Sequence, residues 1–270
     1  MSDRSLLFYG PNGTGKTRAA LEGATEDEPV SLHEFEPGGF RRASPGLGEA
    51  KKWITVHKYR VPSEEMEQLG EIKVTGGGNA LPQLSYKLEG WSELVAEFNR
   101  NMVEGCKAGL RPVIDTATRL WLAQRQAFEQ QVQEATGSAA EKLGQLKYTA
   151  PNARMLSAAE YGAKFNLDTV LIAHEGTVFN SNPPIYIPDT MKELANLVDV
   201  VLRFRLRDNV PVATFEKGAE AGLIRGRELE YPTLGKVSAI LDAAALVRDA
   251  GMKVPETDEE LFKIAGMLDG

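Results

Sequence analysis

Eight consecutive residues, Gly10-Pro11-Asn12-Gly13-Thr14-Gly15-Lys16-Thr17, carry the most specific chemistry in the chain. They fit the pattern G-x-x-x-x-G-K-[ST], in which a glycine-rich backbone curls around phosphate oxygens. The glycines let successive N–H groups point at one anion, and a helix starting at the end of the loop turns its positive dipole end toward the same charge. Lys16 is placed to reach the β- and γ-phosphates of a nucleotide such as ATP, and the Thr17 hydroxyl to ligate Mg²⁺. A phosphate loop also needs an acid on the metal side, at the end of a buried strand close by. Asp115, which ends the short strand Pro112-Val113-Ile114-Asp115, is the candidate. Its alternative role is to cap, with Thr116, the helix that follows.

These residues act together only if strands and helices place them. Leu6-Leu7-Phe8-Tyr9 is an apolar run that breaks at Gly10, and residues 18–23 contain good helix formers, so the loop joins a strand to a helix. Residues 30–35 and 53–59 read as strands, the second alternating Trp53, Thr55, His57 and Tyr59. From Trp91 the set Trp91, Leu94, Val95, Phe98, Met102 follows one face of an amphipathic helix, which residues 105–109 close. After the Asp115 strand come a glutamine-rich helix from about Thr118, a helix over residues 155–165, and the strand Thr169-Val170-Leu171-Ile172-Ala173. Strands at 198–206 and 212–215 and helices at 234–247 and 259–267 finish the chain. Strands alternating with helices predict an α/β fold around a largely parallel sheet.

The 270 residues are 42% hydrophobic and 26% charged, which is ordinary globular usage rather than a disordered or fibrous composition. The longest apolar runs fall far short of the ~18 residues that cross a bilayer, and Met1-Ser2-Asp3-Arg4 is too polar for a signal peptide, so no membrane partner is expected. A single cysteine, Cys106, and three scattered histidines exclude an internal disulfide and a structural zinc cluster, which points to the cytoplasm. The net charge of −7 excludes a generally basic coat for nucleic acid but not a local patch. Arg203, Arg205 and Arg207 alternate along one strand and share a face, which suits a nucleotide pocket, a subunit contact or DNA.

The segment from Leu7 to Thr17, Glu34-Phe35-Glu36-Pro37-Gly38-Gly39, the Trp91 helix, Val113-Ile114-Asp115-Thr116-Ala117-Thr118-Arg119-Leu120-Trp121 and Leu171-Ile172-Ala173-His174-Glu175 together resemble a known family. It is the phage nucleotide-binding AAA/RecA-like P-loop ATPases, which include minimal RecA-like single-strand annealing proteins. The resemblance implies a RecA-like ATPase domain over residues 1–233 and a C-terminal helical tail, 234–270, packed on or extending it. It implies ATP and Mg²⁺ as cofactors, a homo-oligomer, and single-stranded DNA as the partner in phage recombination or replication in the host cytoplasm.

By position in that family, Glu36 would orient or deprotonate the attacking water, with Glu34 as runner-up, and His174 would sense the γ-phosphate. Lys217, with Arg225 and Arg227 as alternatives, would supply a cation across a subunit interface. DNA would meet two loops, residues 124–154 with Lys142, Lys147, Tyr148 and Arg154, and residues 175–197 with Phe179, Tyr186 and Lys192. The helix expected over the first is longer than a simple loop, a departure from the family's pattern that suits self-association. The second has too many breakers for a continuous element. Two other classes fit the same phosphate loop: an ATP-binding assembly or packaging protein without DNA affinity, which the acidic balance favours, and a small-molecule kinase, which lacks an obvious Arg-rich lid here.

Overall fold

The central strands, Ser5–Tyr9, Val30–Glu34, Arg111–Asp115 and the first half of Thr169–Val178, are buried on both faces, as parallel strands covered by helices are. The computed structural model describes residues 3–60, 90–137, 140–178, 185–218, 224–255 and 257–266. Five strands, β1 (Ser5–Tyr9), β2 (Val30–Glu34), β3 (Ile54–Lys58), β4 (Arg111–Asp115) and β5 (Thr169–Val178), lie in the spatial order β3-β2-β4-β5-β1. β7 (Val200–Arg207) continues the sheet beyond β1, and all six of these strands are parallel. β8 (Val210–Lys217) and β9 (Glu228–Glu230) add antiparallel strands at that side. Asp208 and Asn209, at φ 51° and 66°, make the two-residue turn from β7 to β8, a hairpin geometry that matches the twist of the strands. The expected α/β class, with a largely parallel sheet flanked by helices and helices at the C-terminal end, is the one observed.

Alternation along each strand divides the core into two layers. Leu6, Phe8, Leu32, Ile172 and Leu202 face one side, where α1 (Lys16–Leu21) supplies Ala19, Ala20 and Leu21. Leu7, Tyr9, Ile114, Leu171 and Val201 face the other, against α3 (Trp91–Lys107), α4 (Ala117–Thr136) and α5 (Thr149–Glu160). The C-terminal helix α7 (Leu234–Asp249) puts Val237, Ile240, Leu241 and Ala244 into the same layer as Leu6 and Phe8. The short helix α8 (Asp258–Ile264) follows through Leu261. Among the described residues no helix is long and apolar enough to cross a membrane.

Three local findings add to the sequence reading. A short helix, α2 (Gly39–Ala43), and 3-10 turns fill the stretch before β3. The long helix expected from about Thr118 is α4, and within residues 124–154 it is followed by a 3-10 stretch at Ala140–Tyr148 and the start of α5. Beyond Ala173, β5 leaves its parallel neighbours and pairs only with β6 (Ile185–Asp189), and α6 (Leu194–Leu197) follows. Among the described residues of the second expected loop, 175–178 and 185–189 are therefore the paired strands of a β-arm.

The amphipathic face expected of α3 is buried in full. Its first turn begins at Gly90, which has no side chain to cap it, and Gln130 of α4 replaces the cap: Oε1 accepts from Trp91 N at 3.1 Å and from Ser92 N at 3.0 Å. Helix N-termini leave amides without intrahelical acceptors, and a lost cap costs about 1–2 kcal/mol. Gln130→Ala is expected to lower the unfolding free energy by that much, read as an earlier urea midpoint at unchanged slope; an unchanged midpoint would remove the capping role.

Candidate nucleotide-binding site

Parallel register gathers the site. Tyr9 is level with Ala173, Glu34 with Asp115, and Asp115 with Ile172. The residues that follow β1, β2, β4 and β5 therefore emerge along one edge of the sheet, the edge at which α/β folds bind ligands. There Lys16, Thr17, Glu36, Asp115 and His174 line a single cleft of about 480 Å³, together with Arg18, Gly39 and Arg42.

The loop geometry depends on its glycines. A Cβ on Gly10, at φ 149°, would lie 2.1 Å from the Phe204 carbonyl oxygen of β7. Gly13 and Gly15 hold φ 81° and 89°, values that side chains disfavour. Thr14 Oγ1 ties the turn by donating to Pro11 O at 2.9 Å. Lys16 is buried, and Nζ donates to Gly10 O at 2.8 Å and Pro11 O at 2.7 Å. Burial pushes its ammonium down to about 8, against the attraction of Asp115, Glu36 and Glu175.

Thr17 Oγ1 donates to Asp115 Oδ2 at 3.0 Å, joining the phosphate loop to the end of β4. The helix-cap alternative for Asp115 falls to its neighbour, since Thr116 Oγ1 accepts from Arg119 N at 3.2 Å. Burial pushes the Asp115 carboxyl up to about 6, the Thr17 hydrogen bond opposes this, and the nearby charges of Glu36 and Glu34 add to it. α2 rests on these acids: a Cβ on Gly39 would come within 2.4 Å of Asp115 Oδ2 and 3.3 Å of Glu34 Oε1. Glu34 accepts the Phe40 amide at 2.7 Å, so it is committed to starting α2. Glu36 turns into the cleft, where its Oε2 and His174 Nε2 share a hydrogen bond of 2.6 Å. The His174 amide donates to Thr118 Oγ1 at 3.1 Å, and Thr118 donates to the Asp189 carbonyl of β6.

These residues fit a nucleoside triphosphate with Mg²⁺. A desolvated ammonium sits on loop carbonyls, and beside it a hydroxyl and a carboxylate already meet, with acids around them that a divalent cation would offset.

No family model matches the chain, and no curated protein does. Its fold is similar to that of a solved recombinase. The crystal structure of the RadB recombinase aligns over 85% of this chain and 86% of that one, at a TM-score of 0.47 and 16% identity.

The residues expected to serve a neighbouring subunit or a polymer lie away from the cleft. Lys217 lies on β8, which runs antiparallel away from the loop, and its Nζ donates to Asn196 O at 2.6 Å and to Val198 O. It lines a second depression of about 550 Å³ with Arg225. Arg227 pairs with Asp258. Of the polymer-contact residues, Lys192 is exposed and Phe179 lies outside the described residues. Tyr186 lies under the Arg203 guanidinium, 4.2 Å from its ring centroid. Arg154 donates to Gln131 at 3.0 Å, Lys147 sits 5.3 Å from the Tyr148 ring, and Lys142 falls in the 3-10 stretch. Arg205 and Arg207 pair with Glu228 and Glu230 of the chain itself.

Sequence reasoning missed Gly39, Arg42 and Thr118. The Gly38-Gly39 pair beside two acids was the one local signal, since a helix can touch carboxylates only where it lacks a side chain.

The raised Asp115 pKa has a consequence for stability. Between the ordinary 3.8 and about 6 the folded chain holds a proton that the unfolded chain has released, so stability falls as pH rises through that window and stays lower above it. Asp115→Asn removes the charge and is expected to melt above the parent near neutral pH, with the difference shrinking toward the acid end of the window. Calorimetry at several pH values checks this, and a lower melting temperature at neutral pH would contradict it.

Proposed function

We propose that the chain is a Mg²⁺-dependent ATPase that acts as an oligomer on single-stranded DNA, in recombination or replication of the kind served by the phage proteins it resembles. The observation that carries the ATPase reading is the meeting of the Thr17–Asp115 and Glu36–His174 pairs in the cleft that the phosphate loop lines. Amides of residues 13–16 and the Lys16 ammonium bind the phosphates. Thr17 and Asp115 would hold Mg²⁺, whose contribution is to neutralise charge on the transferred phosphoryl group. Glu36 takes the proton of the attacking water or orients it. His174 holds that carboxylate in place and offers a donor to the γ-phosphate side. Lys217 is directed away from its own cleft, and we assign it to the cleft of a neighbouring subunit.

The DNA part of the reading rests on the β-arm. β5 runs without interruption from the cleft into it, and the arm exposes Val178, Ile185 and Ile187 with Tyr186 on the alternate face. The half-exposed Tyr186 ring, with the Arg203 guanidinium beside it, is a surface on which bases stack without sequence preference. One observation favours a second reading, an ATP-driven assembly protein without DNA affinity. Arg203, Arg205 and Arg207, the densest run of cations, are all paired with acids of the same chain.

Lys16→Ala is expected to abolish nucleotide binding. Glu36→Gln is expected to retain binding while turnover falls by roughly 10²–10⁴; normal turnover in that variant would end the role given to Glu36. Fluorescence anisotropy with labelled single strands and ATP should show binding at low salt that weakens linearly with the logarithm of salt concentration. No binding at low salt would transfer the chain to the second reading.

A further inference from the structure

The parallel register of β5 ends at Ile172, level with Asp115 of β4, and at Ala173, level with Tyr9 of β1. His174 is the first residue of the strand beyond that register. It is also the residue whose imidazole meets Glu36 in the cleft. A group that must hold a carboxylate in place therefore sits where the parallel sheet has stopped holding the strand.

A side chain of α4 takes over at that point. Thr118 Oγ1 accepts from the His174 amide at 3.1 Å and donates to the Asp189 carbonyl oxygen. His174 and Asp189 are partners in the antiparallel pairing of β5 with β6. A hydroxyl has one proton to give and lone pairs to receive, so this single group joins the amide of one partner to the carbonyl of the other. The hydroxyl is carried by a fixed element. Thr118 lies three positions after Asp115, in the first turn of α4, which Thr116 caps by accepting from Arg119 N at 3.2 Å. Ala117 and Leu120 of the same turn are fully buried. A β-branched side chain on a helix has few rotamers, so the hydroxyl stays where the backbone puts it. Residues 115–118 thus engage Thr17 at one end and His174 at the other, and they tie the Thr17–Asp115 pair to the Glu36–His174 pair.

We propose that Thr118 is a positioning residue for the ATPase site: its hydroxyl fixes His174 relative to Asp115 and so keeps the imidazole on the Glu36 carboxylate. This rests on the ATPase reading and on the role given there to His174. Thr118 itself does not line the cleft. Loss of its hydroxyl lets His174 drift from Glu36, so turnover falls while the phosphate loop binds nucleotide as before.

The test is steady-state ATP hydrolysis, with melting temperatures for the same samples. Thr118→Val keeps the shape and removes the hydroxyl; it is expected to lower kcat about tenfold, the scale of a small misplacement at a reacting group, with KM changed less than about twofold. Thr118→Ser keeps the hydroxyl and should hold kcat within about threefold of the parent. His174→Ala is expected to lower kcat at least as far as Thr118→Val, and adding Thr118→Val to it to cost less than about twofold more, because both changes remove one interaction. Thr118→Val with the kcat of the parent, even at a lower melting temperature, would overturn the proposal and leave Thr118 a structural tie at the base of the arm. Thr118→Ser as slow as Thr118→Val, or a further loss of about tenfold on top of His174→Ala, would overturn it too. If Thr118→Val fails to fold, Thr118→Ala, a better helix former, is read in the same way. His174→Ala separates the two levels. The kcat of the parent in that variant removes the role given to His174 and the proposal with it, whereas a slow His174→Ala beside a parental Thr118→Val overturns the positioning role alone.

Discussion

Lys16 and Asp115 are opposite charges buried at the same edge of the sheet, and most of the surrounding architecture follows from keeping them there. Neither has enough protein partners to repay its removal from water, which is why burial moves both pKa values toward neutrality. Backbone carbonyls carry the ammonium, one hydroxyl carries the carboxylate, and Gly39 lets a helix close over the acid without touching it too hard. A site arranged this way is unstable alone and complementary to a ligand bringing both phosphate oxygens and a cation. Strain of this sort is held by the rest of the fold, here by two fully buried layers of aliphatic and aromatic side chains.

The parallel sheet is what turns distant residues into neighbours. Glu36 and His174 are 138 positions apart and Thr17 and Asp115 are 98 apart, yet each pair meets because β1, β2 and β4 all end within about one residue of the level of Ala173 on β5. Placing β5 between β1 and β4 has a second effect. It puts His174 at the centre of the edge, so one strand both reaches the cleft and carries the arm beyond it. Glu175, one residue further, takes the opposite face, where it meets the Arg203 guanidinium of β7.

What could be read from the sequence was local. The phosphate loop, the apolar run of β1, the Asp115 strand and the buried face of α3 are patterns within a few residues, and each is found where the spacing placed it. The α/β class followed from their order. What could not be read was pairing. The alternation of Arg203, Arg205 and Arg207 was visible, but not that acids on β5 and β9 would engage all three. Asn180, Ser181, Asn182, Pro183 and Pro184 lie outside the described residues, but the pairing of residues 174–178 with 185–189 on either side of them could not be read, because strand pairing is a property of two segments and propensity describes one. Lys142, Lys147, Tyr148 and Arg154 were matched to a polymer-contact loop by position in the family, and the 3-10 stretch and second helix that hold them after α4 leave no distinct periodic signature.

The side-chain cap that Gln130 gives α3 also bears on the order in which the chain folds. Trp91 and Gln130 are 39 positions apart, so during synthesis the first turn of α3 has no acceptor for its amides until α4 has been made and has docked. Helix nucleation is the costly step of helix formation, and here it is deferred to a later element. α3 and α4 should then appear together as one cooperative unit in hydrogen exchange, with the start of α3 opening whenever α4 lifts from the sheet.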